Sequence, residues 1–230
     1  MEKIKTNSKI LPVLRSKEEA IKAYDRISKF YDYTEGIFEN RYISMALKEL
    51  KIRKGEVILE IGFGTGNAFI KIAEYIGKSG AVYGIDISPK MLELANNKIR
   101  KRLFTDRVKL ACGDAINLPY PDNKFDAVFL SFTLELFDTC EIPIVLKEIK
   151  RVLKLNGRLG VVSLSKDNGK SLFIRLYEWA HIKFPKYIDC RPIFVTKSIK
   201  EAGFDIGYKK KAKIFIAPIE IVVGIKNTQM

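Results

Sequence analysis

The segment VILEIGFGTGN, residues 57–67, decides the fold of this chain. Its first five residues form a short apolar run between glycines, which is typical of a buried strand. Three alternating glycines follow, and a run with apolar residues at helical spacing comes next. Glycine allows positive φ angles and lets a ligand approach the backbone closely. The segment therefore predicts a strand, a ligand-binding loop and a helix in succession.

The same alternation of short apolar runs and helical patterns continues along the chain. Ser88 and Pro89 fit the N-cap and first position of a helix, and Thr196 is expected to cap a short helix that ends at Gly203. Further strands are predicted at residues 81–85, 108–111, 125–130 and 158–164, and a helix at about 141–153. Such alternation predicts a parallel sheet with helices on both faces. The last two strands, near 205–208 and 212–223, are close in sequence and are expected to pair antiparallel.

The N-terminal region is predicted to be helical. Ser16 and Glu19 fit a capping box, and a second helix is expected at about 40–50. Residues 166–192 are aromatic and show no regular pattern. We expect a single domain over residues 1–230, with an N-terminal helical lid (1–50), a cofactor-binding core (51–165), a substrate cover (166–195) and a C-terminal helix and hairpin (196–230).

The chain is strongly basic, with a formal net charge of +14 over 230 residues. Such a surface attracts anions such as nucleic acid, acidic lipid head groups or phosphorylated substrates. Most lysines are scattered, which favours an ordinary basic protein surface. The densest cluster, at Lys209, Lys210, Lys211 and Lys213, is interpreted as a solvated strand edge.

Cysteine and histidine content argues against a metal centre. A structural zinc site needs about four ligands, whereas the chain has one histidine, His181, and the distant cysteines Cys112, Cys140 and Cys190. Cysteines so widely spaced favour a reducing compartment over a disulfide framework. No signal peptide is recognised, and the last apolar run, residues 214–225, is too short for a membrane helix. We therefore expect a cytoplasmic protein without a metal.

Acidic residues follow three predicted strands. Glu60 ends the first strand, Asp86 ends the second, and Asp114 follows the third. The carboxyl ends of parallel strands share one edge of a sheet, where ligands bind in open α/β folds. Asp86 is placed to accept hydrogen bonds from ribose hydroxyls, and Asp114 from an adenine amino group.

The glycine loop distinguishes between nucleotide ligands. A dinucleotide loop has the spacing G-x-G-x-x-G, and a P-loop continues with Gly-Lys-Ser/Thr. The spacing here is G-x-G-x-G, with Asn67 after it, and Glu60 before it repels a phosphate but suits a cation. S-adenosylmethionine, which carries an ammonium and a sulfonium, is therefore the predicted ligand.

With these motifs the sequence resembles the class I S-adenosylmethionine-dependent methyltransferases. The matching segments are residues 57–67, 82–91, 108–118, 125–132 and 146–162. The resemblance implies an α/β fold with a Rossmann-like, seven-stranded, mostly parallel sheet and an antiparallel C-terminal hairpin. It also implies that S-adenosylmethionine is held by Gly62, Gly64 and Gly66 at the methionine part, by Asp86 at the ribose, by Ile87, Met91, Asp114 and Ala115 at the adenine, and by Ser131 and Phe132 at the mouth. Tyr31 and Glu60 complete the set of predicted cofactor contacts.

Within that superfamily, residues 24–28 and 30–32 are similar to the front of the ubiquinone/menaquinone C-methyltransferases and their small-molecule and phospholipid-methylating relatives. The chain departs from the quinone enzymes at Glu135 and Leu136, where they usually have Arg-Asn. We expect a small-molecule or lipid-like acceptor, with peripheral contact with an anionic membrane. Glu135, His181 and Tyr31 are the predicted catalytic residues if the acceptor must lose a proton.

Other functions fit parts of the sequence. Net charge is compatible with an RNA or protein methyltransferase, but the chain lacks a dense arginine patch, so nucleic acid is not the expected partner. A nicotinamide-dependent oxidoreductase also uses an acidic residue after the second strand, but with a different glycine spacing. A non-catalytic adenosyl-binding protein and an oligomer are both compatible with the sequence.

Overall fold

The computed structural model describes residues 10–13, 16–22, 36–102, 106–166, 172–183 and 190–227. The strands are β1 (Val57–Ile61), β2 (Ala81–Asp86), β3 (Val108–Cys112), β4 (Phe125–Ser131), β5 (Leu153–Leu164), β6 (Asp205–Ile214) and β7 (Ala217–Ile225). The helices are α1 (Gly36–Glu49), α2 (Asn67–Ile76), α3 (Pro89–Lys101), α4 (Ile142–Val152), α5 (Leu172–Lys183) and α6 (Val195–Glu201), and residues Leu134–Leu136 form a 3-10 turn.

All seven strands form one sheet in the order β3-β2-β1-β4-β5-β7-β6. Strands β1 to β5 are parallel, whereas β7 pairs antiparallel with both β5 and β6. This arrangement confirms the predicted fold class. The strand order runs outward in both directions from the β1–β4 pair, so the switch point at which α/β folds bind ligands lies between these two strands.

The sheet separates two apolar cores because neighbouring residues of a strand face opposite sides. In β4, for example, Val128 packs with α4 and α6 on one face, and Phe129 packs with α1 and α2 on the other. Both side chains are completely buried. The double coverage explains why the parallel strands are apolar on both faces.

Three predicted helix starts can be compared with the structure. The capping box is confirmed, since Ser16 Oγ accepts from Glu19 N at 3.2 Å and a Glu19 carboxylate oxygen accepts from Ser16 N at 3.0 Å. Ser88 is also confirmed as the cap of α3, accepting from Met91 N at 3.1 Å. The prediction that Thr196 caps α6 is wrong. Its backbone N and hydroxyl donate to the buried carboxylate of Glu220, at 3.3 and 3.1 Å.

In two segments the structure differs from the sequence prediction. Residues 172–183, predicted to be irregular, form α5, whose buried residues Ile174, Glu178 and His181 recur at helical spacing. Two of these three are polar, which hides the apolar periodicity. Strand β6 continues through the lysine cluster, and the hairpin turns at Phe215 and Ile216. The cluster therefore lies on the outermost strand of the sheet, as a solvated edge requires.

None of the helices in the described part of the chain combines enough length with enough hydrophobicity to cross a membrane.

Candidate functional site

A cavity of about 310 Å³ lies at the carboxyl edge of the sheet, where β1 to β4 end. This volume is at the lower end of the range of small-molecule sites, roughly 300–1,000 Å³. Nine of the twelve residues predicted to contact the cofactor border it, which brings four separate loops to one place. They are Gly62, Gly64, Asp86, Ile87, Met91, Asp114, Ala115, Ser131 and Phe132.

Asp86 connects two of these loops. One carboxylate oxygen accepts from Gly64 N and the other from Ser88 N, each at 2.9 Å. These bonds hold the glycine loop against the end of β2 and fix the orientation of the carboxylate. Each ionised oxygen has two lone-pair sites, so the group retains the capacity to accept further bonds from a ligand in the cavity.

The three glycines of the loop have positive φ angles, of 69° at Gly62, 52° at Gly64 and 86° at Gly66. A Cβ at Gly62 would overlap Thr133, whereas a Cβ at Gly64 would meet no atom within 4 Å. Gly64 borders the cavity, so that open space is available to a ligand bound there. Gly66 does not border it. This residue precedes α2, where a Cβ in its place would lie 3.4 Å from Ala95, so its position suits a glycine that starts the helix with a positive φ.

Glu60 lies behind the glycine loop and not on the cavity wall. The residue is 2% exposed, and its Oε2 accepts no hydrogen bond from the described residues. Burial, with a smaller contribution from nearby Asp86, raises the pKa of Glu60 well above its usual value. A buried acceptor without a partner fits a cationic ligand in the adjoining loop, which would supply the missing counter-charge.

The N-terminal segment covers the cavity on the side of Asp114. Lys17 Nζ lies 2.6 Å from one oxygen of Asp114 and 2.5 Å from Glu141. Burial alone lowers the pKa of Lys17, but hydrogen bonds to both carboxylates outweigh it, and the pKa is raised. Val13 also borders the cavity, and its N donates to Asp138 at 3.4 Å. Sequence reasoning missed Lys17, since only the nearby capping box marks that region.

The loop after β4 forms the remaining wall. Phe132 has a φ of 50°, a left-handed conformation that is uncommon for an aromatic residue. Thr133 follows and donates from its hydroxyl to Ser131 O at 2.9 Å. Leu136 and Phe137 line the cavity beyond it, and they add apolar surface that the motif analysis did not anticipate. Their position directly after a strand end was the available signal.

The geometry does not support Glu135 as a base. It is completely buried, its Oε1 accepts from Leu164 N at 3.1 Å, and it does not border the cavity. Burial raises the pKa of Glu135 to about 7. Arg191, 1% exposed, contributes an attractive charge to this carboxylate and donates to Phe137 O. The pair thus supports the cavity wall from behind.

The other two predicted catalytic residues are not placed in the site. His181 is 1% exposed within α5, its Nε2 lies 3.3 Å from Pro12 O, and it does not border the cavity. Packing against the N-terminal segment accounts for its burial. Tyr31 lies outside the described residues.

Comparisons with known proteins show similarity to methyltransferases. A family model for a methyltransferase domain matches residues 58–157. A demethylmenaquinone methyltransferase of Lactobacillus johnsonii is 36% identical over 146 residues, and the match spans 62% of this chain but only 59% of that protein. A demethylmenaquinone methyltransferase of Listeria welshimeri is 32% identical over 194 residues, or 81% of this chain and 78% of that protein.

Solved structures show the same fold. A SAM dependent methyltransferase from Aquifex aeolicus has a TM-score of 0.60 at 22% identity, over 80% of this chain and 88% of that one. The match to the Listeria protein covers 194 residues and extends well beyond the glycine loop. Methyltransferases of this family use S-adenosylmethionine, an adenosyl sulfonium, and not a nicotinamide dinucleotide. The chain therefore belongs to the class I S-adenosylmethionine-dependent methyltransferases.

Proposed function

We propose that this chain methylates a small, quinone-like acceptor with S-adenosylmethionine as the methyl donor. The observation that carries the proposal is the convergence of Asp86, Asp114 and the open space beside Gly64 on one cavity whose further wall is apolar. The relatives that match most of the chain are demethylmenaquinone methyltransferases, which supports an acceptor of that chemistry.

We assign the part of the cavity at the strand ends to the cofactor. Asp86 would hold the ribose, and Asp114 with the backbone of Ala115 would hold the adenine edge. A cationic methionine end would favour the ionised form of Glu60, which would then supply negative charge there. When bound, S-adenosylmethionine supplies a methyl group on a sulfonium that is already activated for displacement.

The acceptor half is assigned to the wall formed by Val13, Leu136 and Phe137. These apolar side chains favour a flat, weakly polar molecule over a charged one. Of the two residues at which the chain departs from the quinone enzymes, Glu135 and Leu136, only one contributes to this wall. Glu135 turns into the core, whereas Leu136 borders the cavity, so the departure adds apolar surface on the acceptor side.

No base predicted from the sequence borders the cavity within the described residues. We therefore assign the acceleration to the positioning of the acceptor and to the exclusion of water. The methyl group would leave the sulfonium as it bonds to the acceptor, S-adenosylhomocysteine would be the leaving group, and the proton that the acceptor loses would pass to solvent. Residues 1–50 would act as the lid, in which Lys17 fastens the covering segment to Asp114, and residues 166–195 as the substrate cover. A cytoplasmic location and peripheral membrane contact are part of the same proposal.

Two measurements test it. Calorimetry should show binding of S-adenosylhomocysteine and none of NADH. Mass spectrometry should then show the addition of one methyl group to a reduced short-chain quinone in the presence of S-adenosylmethionine, with Asp86→Ala as the inactive control. Binding of S-adenosylhomocysteine without methylation of any reduced quinone would refute the acceptor class, and absence of that binding would refute the methyl donor.

A further inference from the structure

The tip of the β6–β7 hairpin exposes two large apolar side chains. Phe215 is 73% exposed and Ile216 is 66% exposed. Phe215 also has a φ of 52°, a conformation that strains a non-glycine residue and that glycine would adopt freely. The turn therefore keeps an aromatic ring in water at a conformational cost.

Helix α5 exposes a second apolar set. Leu176, Trp179 and Ile182 are 59%, 52% and 48% exposed. They are spaced three residues apart and so form a stripe along one side of the helix. The exposed Lys183 follows the last of them. A solvated helix normally presents polar residues on its outer side, so this face has the character of an interfacial helix.

Contacts at the end of β5 connect both α5 and the hairpin to the same part of the sheet. Lys166 follows β5 and forms a buried ion pair with Glu178 of α5, with 2.6 Å between the charged atoms. The neighbouring Ser165 N donates to Pro218 O at 2.9 Å, two residues from the hairpin tip. We name the two sets together, Phe215 and Ile216 with Leu176, Trp179 and Ile182, the hairpin–α5 surface.

This surface lies on the edge of the sheet that carries the cavity. Leu164, the last residue of β5, pairs with Ile219, so the tip projects beyond the carboxyl end of β5 by about three residues, or roughly 10 Å. The cavity opens where β1 to β4 end, at that same edge. At roughly 4.8 Å between neighbouring strands, the tip is within about 20 Å of the cavity.

The positive charge beside the hairpin tip indicates which kind of surface would bind there. Lys210, Lys211 and Lys213 are exposed on β6 directly before the tip, and the chain carries a net charge of +14. Repulsion between such surfaces disfavours a second copy of this chain as the occupant. Protruding apolar side chains flanked by lysines match the interface of an anionic bilayer, where rings enter the boundary of the acyl chains and ammonium groups meet lipid phosphates.

We propose that the hairpin–α5 surface docks the protein on anionic membranes and holds the cavity at the bilayer surface. The inference deepens the proposed function, because a lipid-like acceptor would then enter from the bilayer. Docking itself requires neither cofactor nor acceptor, and it can be measured alone.

The test is binding to vesicles of phosphatidylcholine with about one third phosphatidylglycerol, measured by co-sedimentation. The chain should bind these vesicles at least tenfold more tightly than pure phosphatidylcholine vesicles, and salt should weaken the binding. Replacing both Phe215→Ser and Ile216→Ser should reduce binding roughly tenfold to a hundredfold, because two apolar side chains no longer leave water. Leu155→Ser is the matched control. This residue is 52% exposed at the opposite edge of the sheet, and its loss should change nothing.

The single tryptophan of the chain provides a second measurement that needs no substitution. Trp179 fluorescence should shift to shorter wavelength on anionic vesicles and become protected from acrylamide. Equal binding by the hairpin variant and the Leu155→Ser control, or unchanged Trp179 emission at saturating vesicles, would overturn the docking surface. So would equal binding to neutral and anionic vesicles.

Failure of docking can be separated from failure of the proposed function. The hairpin variant should bind S-adenosylhomocysteine and methylate a water-soluble short-chain acceptor at the normal rate, which also shows that it is folded. A chain that methylates this acceptor but ignores vesicles refutes docking alone. A chain that binds vesicles but not S-adenosylhomocysteine refutes the proposed function alone.

Discussion

Replacing Asp86 by asparagine tests the central group of the cofactor site. Asparagine has nearly the same shape, but one carboxylate oxygen becomes an NH2 group. Both oxygens of Asp86 accept backbone N–H groups, from Gly64 and from Ser88, each at 2.9 Å. Whichever way the new amide turns, its NH2 group faces one of these donors. The substitution therefore removes one bond from the loop and the negative charge from the cavity.

The magnitude follows from these two losses. A hydrogen bond to a charged group contributes about 1.5–3 kcal/mol, and partial exposure of Asp86 places the loss of stability near 1.5 kcal/mol. A ribose hydroxyl would then donate to a neutral oxygen, which forms a bond about half as strong. Together with loosening of the glycine loop, this should cost roughly 1.5–3 kcal/mol of binding free energy. The expected increase in the dissociation constant is about tenfold to a hundredfold.

Calorimetric titration with S-adenosylhomocysteine measures the binding loss, and urea unfolding measures the stability loss. The control is Glu93→Gln on α3, a carboxylate that is 58% exposed and pairs with Lys90 at 2.6 Å. Its loss should change either quantity by less than about 0.5 kcal/mol. If Asp86→Asn lowered stability and left the dissociation constant within twofold of normal, the carboxylate would only fasten the loop, and its assignment to the ribose would be wrong.

Three further substitutions test other parts of the site. Gly64→Val should abolish S-adenosylhomocysteine binding in calorimetry, because the side chain would enter open cavity space and strain a φ of 52°; normal affinity would place the loop elsewhere. Burial raises the pKa of Glu135 to about 7, so the folded state binds this proton more tightly than the unfolded state. The contribution of the protonated group to folding stability is therefore full below about pH 4.5, and it is lost as the pH rises through 7. Glu135→Gln should therefore gain up to about 3 kcal/mol relative to the parent between pH 5 and pH 8 in urea unfolding, and parallel pH profiles would contradict this. Lys17→Met should speed amide hydrogen exchange at residues 17–22 about fivefold through loss of two partly exposed ion pairs, whereas exchange as slow as in the parent would show that these pairs do not hold the segment.

The central fold was predictable because each element is specified locally. Residues 57–61 are buried on both faces and are followed by glycines at positive φ, so strand, loop and helix leave separate signals. Ser88 caps α3 by accepting a hydrogen bond from Met91 N, three residues away, and a serine followed by proline is enough to predict this cap. Helix α5 gave no such signal, because its inward face holds Glu178 and His181. Their burial depends on partners such as Lys166 and Pro12, which are distant in sequence.

The same distinction divides the candidate site. Asp86 and Asp114 were identifiable because their positions follow directly from where strands end. Lys17 contacts Asp114 across 97 residues of sequence, and no local pattern marks such a contact. Glu135 shows the reverse case. Its residue type and its position after β4 suggested a base, but the side chain of this residue in the 3-10 turn accepts from Leu164 N and does not border the cavity.

Specificity for the methyl donor and for the acceptor would arise in different parts of the cavity. In the proposed assignment, the cofactor half consists of strand ends held together by bonds from backbone N–H groups to a side chain, such as those of Gly64 and Ser88 to Asp86, so it would change little unless the fold changed. The proposed acceptor half joins the N-terminal segment to the loop after β4, and at Phe137 its wall accepts a hydrogen bond from the buried Arg191 of a third segment. Substitutions there would reshape the proposed acceptor wall and leave Asp86 and its two bonds in place. On the proposed assignment, a chain that departs from the quinone enzymes at Glu135 and Leu136 would keep their methyl donor, and its acceptor would be selected by the side chains that line the acceptor wall.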